Sequence, residues 1–215
     1  MVHNLSNTHS IFSTFLGEIR DIEIQKDSMR FRRNMERISE IMAYEISKTL
    51  SYTSTDVITP LGTANVPLLI EQPILATILR AGLSMHQGFL NYFDKAESAF
   101  ISAYRKHKNA EDFDIHVEYL ASPSIDKRIV IISDPMLATG NSMVMVHKAL
   151  LTQGKPSKII IASAIATPNA LEYVKNHFPE NTEIWVGAID TELTAQSYIV
   201  PGLGDAGDLA YGVKC

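Results

Sequence analysis

Between Asp27 and Leu50 the apolar residues Met29, Ile38, Ile41, Met42 and Ile46 recur mainly at steps of three and four among charged neighbours. That spacing predicts a long amphipathic helix near the N-terminus. Val57 to Leu69 alternates loosely around Pro60, Gly62 and Pro67, the habit of edge strands and turns. A different rhythm follows. The apolar run Pro73–Leu79 ends in Arg80-Ala81-Gly82, and a helical pattern through Leu83, Phe89 and Leu90 succeeds it. Phe100–Tyr104 is a second strand candidate, ending at Arg105, and Lys106–Pro123 turns polar before alternating through Ile115, Val117 and Tyr119, as a mobile excursion or hairpin would. The strand from Ile129 ends at Asp134 and leads to a helix through Val144, Val146 and Leu150; Lys158–Ala164 is the next strand, Ala170–Phe178 the next helix, and Glu183–Ala188 the last strong strand. Buried apolar runs alternating with helices predict an α/β fold with a mostly parallel central sheet flanked by helices.

In open sheets of this kind ligands sit beyond the carboxyl ends of the strands, where Arg80, Arg105 and Asp134 all fall, so one shared pocket is expected. Ile129–Ser142 reads IVIISDPMLATGNS. A strand delivers Asp134 to the rim, and Ala138–Ser142 form a tight turn ahead of a helix, whose first N–H groups lack intrahelical partners and favour an anion. Taken by itself the turn could equally be a plain one. Thr139 and Ser142 add hydroxyls, Gly140 permits close backbone approach, and Asp134 can accept from ribose hydroxyls or hold water around Mg²⁺. The loop has neither the lysine of GxxxxGK[ST] nor the GxGxxG spacing, which favours a sugar monophosphate over a nucleoside triphosphate or dinucleotide.

The chain has 215 residues, enough for one full α/β core, with 46% hydrophobic and 20% charged residues and a net charge of −5. No basic block stands out, which argues against broad contact with nucleic acid or an anionic membrane. No run is apolar and long enough to span a bilayer, and the start lacks the pattern of a secretory signal. With Cys215 as the single cysteine there is no intrachain disulfide, and a cytoplasmic location is expected.

Four segments in order, ILRAGL (Ile78–Leu83), YR (Tyr104-Arg105), DPMLATGNS (Asp134–Ser142) and YIVPGLGDAGD (Tyr198–Asp208), resemble the uracil phosphoribosyltransferase family, within the type I phosphoribosyltransferases. The similarity extends from about Asp27 to Lys214. It implies a single domain over 1–215, with an N-terminal extension (1–26), a flexible arm (106–123) and a small C-terminal base-binding hood (190–215). It further implies that Arg80, Ala81, Gly82 and Arg105 meet the pyrophosphate of phosphoribosyl pyrophosphate, with a strained or cis peptide in the loop around Gly82. Asp134 would bind the ribose hydroxyls. Pro135, Met136 and Leu137 would bind phosphoribosyl pyrophosphate as well, with Ala138, Thr139, Gly140, Asn141 and Ser142 around the 5′-phosphate. Mg²⁺ would be held through ligand oxygens, with no firm protein ligand. Uracil would lie against Tyr198, Ile199, Gly204, Asp205 and Ala206, and Asp134, Arg80, Arg105 and Asp205 are the catalytic candidates. A homo-oligomer, dimer or higher, and a GTP effector belong to the same resemblance.

Two departures stand out: Asn141 replaces a usual second glycine, and Leu209 stands where many relatives carry a basic residue. Asparagine tolerates a left-handed backbone. Ile199–Asp205 is too glycine-rich for a helix or central strand. It reads as a surface loop, or as a slot whose main-chain groups at Ile199 and Gly204 match uracil and leave cytosine's amine unpaired. Asp205 could hold ordered water or assist loss of the N1 proton. The histidines show no metal-ligand spacing, His86 reads as a helix-surface residue or a ligand, and Trp185 reads as core. Arg30, Arg32, Arg33 and Arg37 form a small basic cluster, solvated or paired with Glu36 and Glu40, or else an interface or effector patch. The alternative function is a nucleotide-binding RNA regulator, or an inactive subunit, on the same scaffold.

Overall fold

The structure, a computed structural model, describes residues 1–107 and 113–214. The chain opens with strand β1 (Val2–Asn4) and helix α1 (Ile11–Arg20), so the expected N-terminal extension supplies two elements of the fold. Helix α2 (Ser28–Ser47) begins directly after Asp27, whose carboxylate accepts from the Met29 and Arg30 N–H groups. Strands β2 (Tyr52–Thr59) and β3 (Gly62–Leu69) form a separate antiparallel hairpin. Then come β4 (Ile74–Leu79), α3 (Leu83–Leu90), β5 (Glu97–His107), β6 (Phe113–Ala121), β7 (Ile129–Ser133) and β8 (Met136–Leu137). The chain continues through α4 (Asn141–Leu150), β9 (Lys158–Ala166), α5 (Pro168–His177), β10 (Glu183–Ile189), β11 (Glu192–Leu193), β12 (Ile199–Val200) and α6 (Ala206–Tyr211).

The main sheet runs β1-β10-β9-β7-β4-β5-β6, with β8 beside the end of β9. Every pairing in it is parallel except β5–β6, which turns the expected 106–123 excursion into an antiparallel edge strand; residues 108–112 of that stretch lie outside the described residues.

Strands covered on both faces alternate between two cores. On β7, Ile131 packs into the core under α1 and α2, with Phe12, Leu16, Phe31, Met35 and Ile38. Its neighbours Val130 and Ile132 point to the other face, against Met143, Val144 and Val146 of α4 and Val174 of α5. β9 repeats the division, Ile160 to the first core and Ile159 and Ile161 to the second. This double cover is why these strands are apolar throughout. No described helix is long and apolar enough to cross a membrane.

Candidate active site

Parallel pairing brings the carboxyl ends of β4, β7, β9 and β10 to one rim, and the residues leaving there include Arg80, Asp134, Thr167 and Asp190. Helices α3 and α4 start at this rim on glycine N-caps, Gly82 and Gly140, with no side-chain cap. By contrast Ser10, Asp27 and Thr167 cap α1, α2 and α5 with side-chain oxygens. At α4, therefore, the N-cap residue takes none of the first-turn donors, and the helix dipole favours an anion there.

Gly140 holds a left-handed φ of +81°, and a Cβ on it would stand 3.0 Å from Tyr173 Cδ1 and 3.2 Å from Val174 Cγ2, so α5 closes the back of the Ala138–Ser142 loop. Thr167 supports the loop as well: its hydroxyl donates to the Ala138 carbonyl at 2.7 Å while accepting the Ala170 N–H at 3.1 Å. Met136 and Leu137 pair with Ile165 and Ala166, and Leu137 is buried in the core; with buried Pro135 they form the strut that carries the loop. Asn141 opens α4 and is not among the positive-φ residues, so the left-handed tolerance expected of it is not called upon. Its N–H reaches Thr139 Oγ1 at 3.4 Å.

Asp134 sits half-buried at the rim, within electrostatic reach of Asp205 in the Tyr198–Asp208 loop. Burial pushes its carboxyl up to about 7, partly offset by a 3.3 Å hydrogen bond from the Met136 N–H and reinforced by the nearby Asp205 charge. An ionised Asp134 is costly without a cation beside it. Among the described residues no group of three or more His, Cys, Asp or Glu converges as a metal site. A single rim carboxylate does not make a metal site by itself, but it would suit a divalent cation that arrives with most of its oxygen ligands on a bound molecule.

The peptide between Leu79 and Arg80 is cis, three residues ahead of Gly82. Arg80 Nη2 donates to Asp208 Oδ1 at 3.0 Å and to the Gly212 carbonyl at 3.1 Å. Arg105 lies in the part of β5 that runs beyond its pairing with β4 and continues with β6 alone, its backbone in register with Ile115, so it stands within the strand and not at its end.

The C-terminal loop follows β10. Strands β11 and β12 pair antiparallel, the Val200–Pro201 peptide is cis, and Ile199 is buried while Tyr198 is exposed. Gly204 has φ +92°. Asp205 is the N-cap of α6, its Oδ1 accepting the Asp208 N–H at 2.9 Å, a structural duty that the sequence reading did not give it. Ala206 is buried beneath it, and Leu209, one of the two departures, packs against the first core.

Sequence reasoning missed Thr167, Asp208 as a partner of Arg80, and the pair Arg20–Asp190 below the base loop. Thr167 carried a readable signal, a threonine directly before proline at a helix start. His86 is neither on a helix surface nor set among metal ligands. It is buried, its Nε2 lies 3.0 Å from Ser98 Oγ, and burial holds its imidazole down at about 4. The arginine cluster is largely spent inside the protein: Arg30 on Glu18, Arg33 on Glu36 and Glu40, Arg32 on the Ala210 carbonyl, Arg37 over the Phe15 ring. Trp185 is core, stacked on His3 at 3.9 Å.

A mostly parallel sheet, a glycine-capped helix behind a rim aspartate and a separate β11–β12 pair near the C-terminus are consistent with a type I phosphoribosyltransferase fold. Two solved phosphoribosyltransferases share that fold at low identity: a hypoxanthine enzyme of Staphylococcus aureus (TM-score 0.50, 14% identity, 75% of this chain and 76% of that one) and a purine enzyme of Pyrococcus horikoshii (TM-score 0.51, 12%, 75% and 86%). A solved Aquifex aeolicus protein superposes with a TM-score of 0.87 at 31% identity over 99% of both chains. The family model described as uracil phosphoribosyltransferase matches residues 6–213. The chain is 56% identical to a uracil phosphoribosyltransferase of Porphyromonas gingivalis over 99% of both chains, and 36% identical to one of Thermococcus gammatolerans over 92% of this chain and 87% of that one. The chain belongs to the uracil phosphoribosyltransferase family, a family of enzymes.

Proposed function

We propose that the protein transfers the 5-phosphoribosyl group of phosphoribosyl pyrophosphate to N1 of uracil, giving UMP and diphosphate in pyrimidine salvage. The observation that carries this reading is the meeting of two loops at one rim: the phosphate loop behind Asp134, and the Tyr198–Asp208 loop tied to Arg80 through Asp208. In this reading the first-turn donors of α4 take the 5′-phosphate, Asp134 accepts from the ribose hydroxyls, and Arg80 and Arg105 meet the leaving group. The bond between ribose C1 and the pyrophosphate oxygen breaks as N1 bonds to C1 from the opposite face. Positive charge gathers on the ribose and negative charge on the leaving group, and prepositioned charges lower the barrier by favouring that separation. Mg²⁺, when bound, supplies charge neutralisation on the pyrophosphate oxygens. In this reading Asp205, a helix cap, also holds water near the base or takes the N1 proton.

The same reading treats 1–215 as one domain, with 106–123 as its arm and 190–215 as its hood, working in the cytoplasm. A homo-oligomer is part of it. The β2–β3 hairpin joins no other sheet and leaves Ile58 89% and Leu61 100% exposed. A lone hairpin is marginal in water, and packing against a second copy would account for it. A GTP effector remains part of the proposal, read from turnover with and without GTP. The RNA-regulator and inactive-subunit alternatives have no observation in their favour.

The test is UMP formation by the purified protein with Mg²⁺, phosphoribosyl pyrophosphate and a panel of uracil, cytosine, hypoxanthine, guanine and orotate. Turnover of uracil far above the others is expected. Binding of phosphoribosyl pyrophosphate without UMP formation would overturn the assignment.

A further inference from the structure

The base loop is gripped by two side chains that belong to none of the motifs. Asp190 leaves β10 at the rim and is 7% exposed. Its Oδ1 accepts from Arg20 Nη2 at 2.9 Å and its Oδ2 from Arg20 Nη1 at 2.8 Å, a two-pronged pair. Both side chains also hold Gly202. Asp190 Oδ2 accepts the Gly202 N–H at 3.0 Å, and Arg20 Nη1 donates to the Gly202 carbonyl at 3.0 Å. The other end of the grip is fixed in the core, because Arg20 ends α1, which buries Phe12, Leu16 and Ile19, and its own carbonyl accepts from Gln25 Nε2 at 3.1 Å.

We propose that Arg20 and Asp190 are positioning residues for the base. They fix Gly202 and thereby the neighbouring main-chain groups of Ile199 and Gly204 that face uracil. This inference rests on the reading of Tyr198–Asp208 as the base loop. The physical reason is twofold. A carboxylate as buried as Asp190, paired with a half-buried guanidinium, is a poor way to gain stability, since apolar side chains of like size often do as well, so its siting at the foot of a loop points to geometry. A planar guanidinium fork on a carboxylate fixes direction as well as distance. Main-chain recognition depends on such placement, because misplacement by about 1 Å can cost on the order of a hundredfold in rate.

The decisive variant is the double substitution Arg20→Met/Asp190→Leu, which removes both charges together. Its unfolding is followed by the fluorescence of Trp185, the single tryptophan. The variant leaves the Gly202 N–H and carbonyl unpaired, so the melting temperature should fall, while the uracil KM rises by about tenfold or more, the order of one lost charge-assisted hydrogen bond. The KM for phosphoribosyl pyrophosphate should move by less than about twofold on the same scale of reasoning. A double variant with wild-type uracil KM, or with both KM values raised in parallel, would overturn the inference. Should the double variant not fold, Asp190→Asn is read instead by hydrogen exchange: faster exchange of the Gly202 amide with a raised uracil KM is expected, and no change in either contradicts the role. Gly204→Val separates the two levels. If it raises the uracil KM while the Arg20 and Asp190 variants do not, only the positioning role falls; if it does not, the base-loop reading falls with it.

Discussion

Arg80 and Asp208 form an ion pair, Nη2 to Oδ1 at 3.0 Å, between the end of β4 and the first turn of the helix that closes the base loop. Both Nη2 hydrogens are engaged, the second by the Gly212 carbonyl, while Nε is buried without a partner among the described residues. The end of β4 and the start of α6 are thus joined through one guanidinium.

Asp208→Asn should raise the KM for phosphoribosyl pyrophosphate by about tenfold, the order of one charge-assisted hydrogen bond. The uracil KM should change less. Steady-state kinetics with each substrate varied in turn check this, and an equal rise in both would mean that α6 had shifted as a body.

Asp134 makes a prediction with a definite sign. Its folded pKa of about 7 lies above the ordinary value of 3.8, so between those values the folded state holds a proton that the unfolded chain has released. Stability from this group is complete below about pH 4 and is lost as pH rises through 7. The difference in melting temperature between wild type and Asp134→Asn should therefore shift against the wild type across that window. A cation-bearing ribose ligand should favour the ionised form, so Mg²⁺–phosphoribosyl pyrophosphate should release a proton on binding near pH 6.5, read by calorimetry in buffers of different ionisation enthalpy. Asp134→Asn should abolish that release and lower kcat by about a hundredfold, the order for one preorganised charge.

Gly140→Ala tests the phosphate loop. A left-handed backbone disfavours a Cβ by about 1–2 kcal/mol, and here the Cβ would also press on Tyr173 and Val174. Denaturant unfolding should show at least that loss, with weaker binding of ribose 5-phosphate in the folded fraction.

Ile58→Asp with Leu61→Asp tests the hairpin. Sedimentation should show a smaller assembly than wild type, because the exposed apolar tip then carries charges that an interface cannot bury cheaply. An unchanged mass would free the hairpin of that role.

Much of this architecture is readable from sequence, for physical reasons. Strands β7 and β9 are covered on both faces and so appear as unbroken apolar runs, and α2 shows its buried stripe and its Asp27 cap. β1 is not readable, because three residues carry no period; it is a strand only by pairing with Ile184–Val186. The rim positions of Arg80 and Asp134 follow from where their apolar runs stop. What escapes is partnership across the chain. Arg20 meets Asp190 and Gly202, and Arg80 meets Asp208, contacts that only the folded topology creates. Asp205 escaped in a subtler way, because a cap and a catalytic acid look alike in sequence.

Gly204→Val tests most directly the claim that one rim carries two separable substrate sites. Its φ of +92° is unfavourable to any branched side chain, yet among the described residues the only atom within 4 Å of a Cβ there is Leu209 Cδ1 at 3.9 Å. The substitution should therefore twist the base loop without disturbing the core. Calorimetry with phosphoribosyl pyrophosphate and kinetics with uracil, on the same folded variant, should give nearly wild-type binding of the first and a strongly raised KM or no turnover for the second. Unchanged uracil kinetics would contradict the account, since the base would then be read elsewhere.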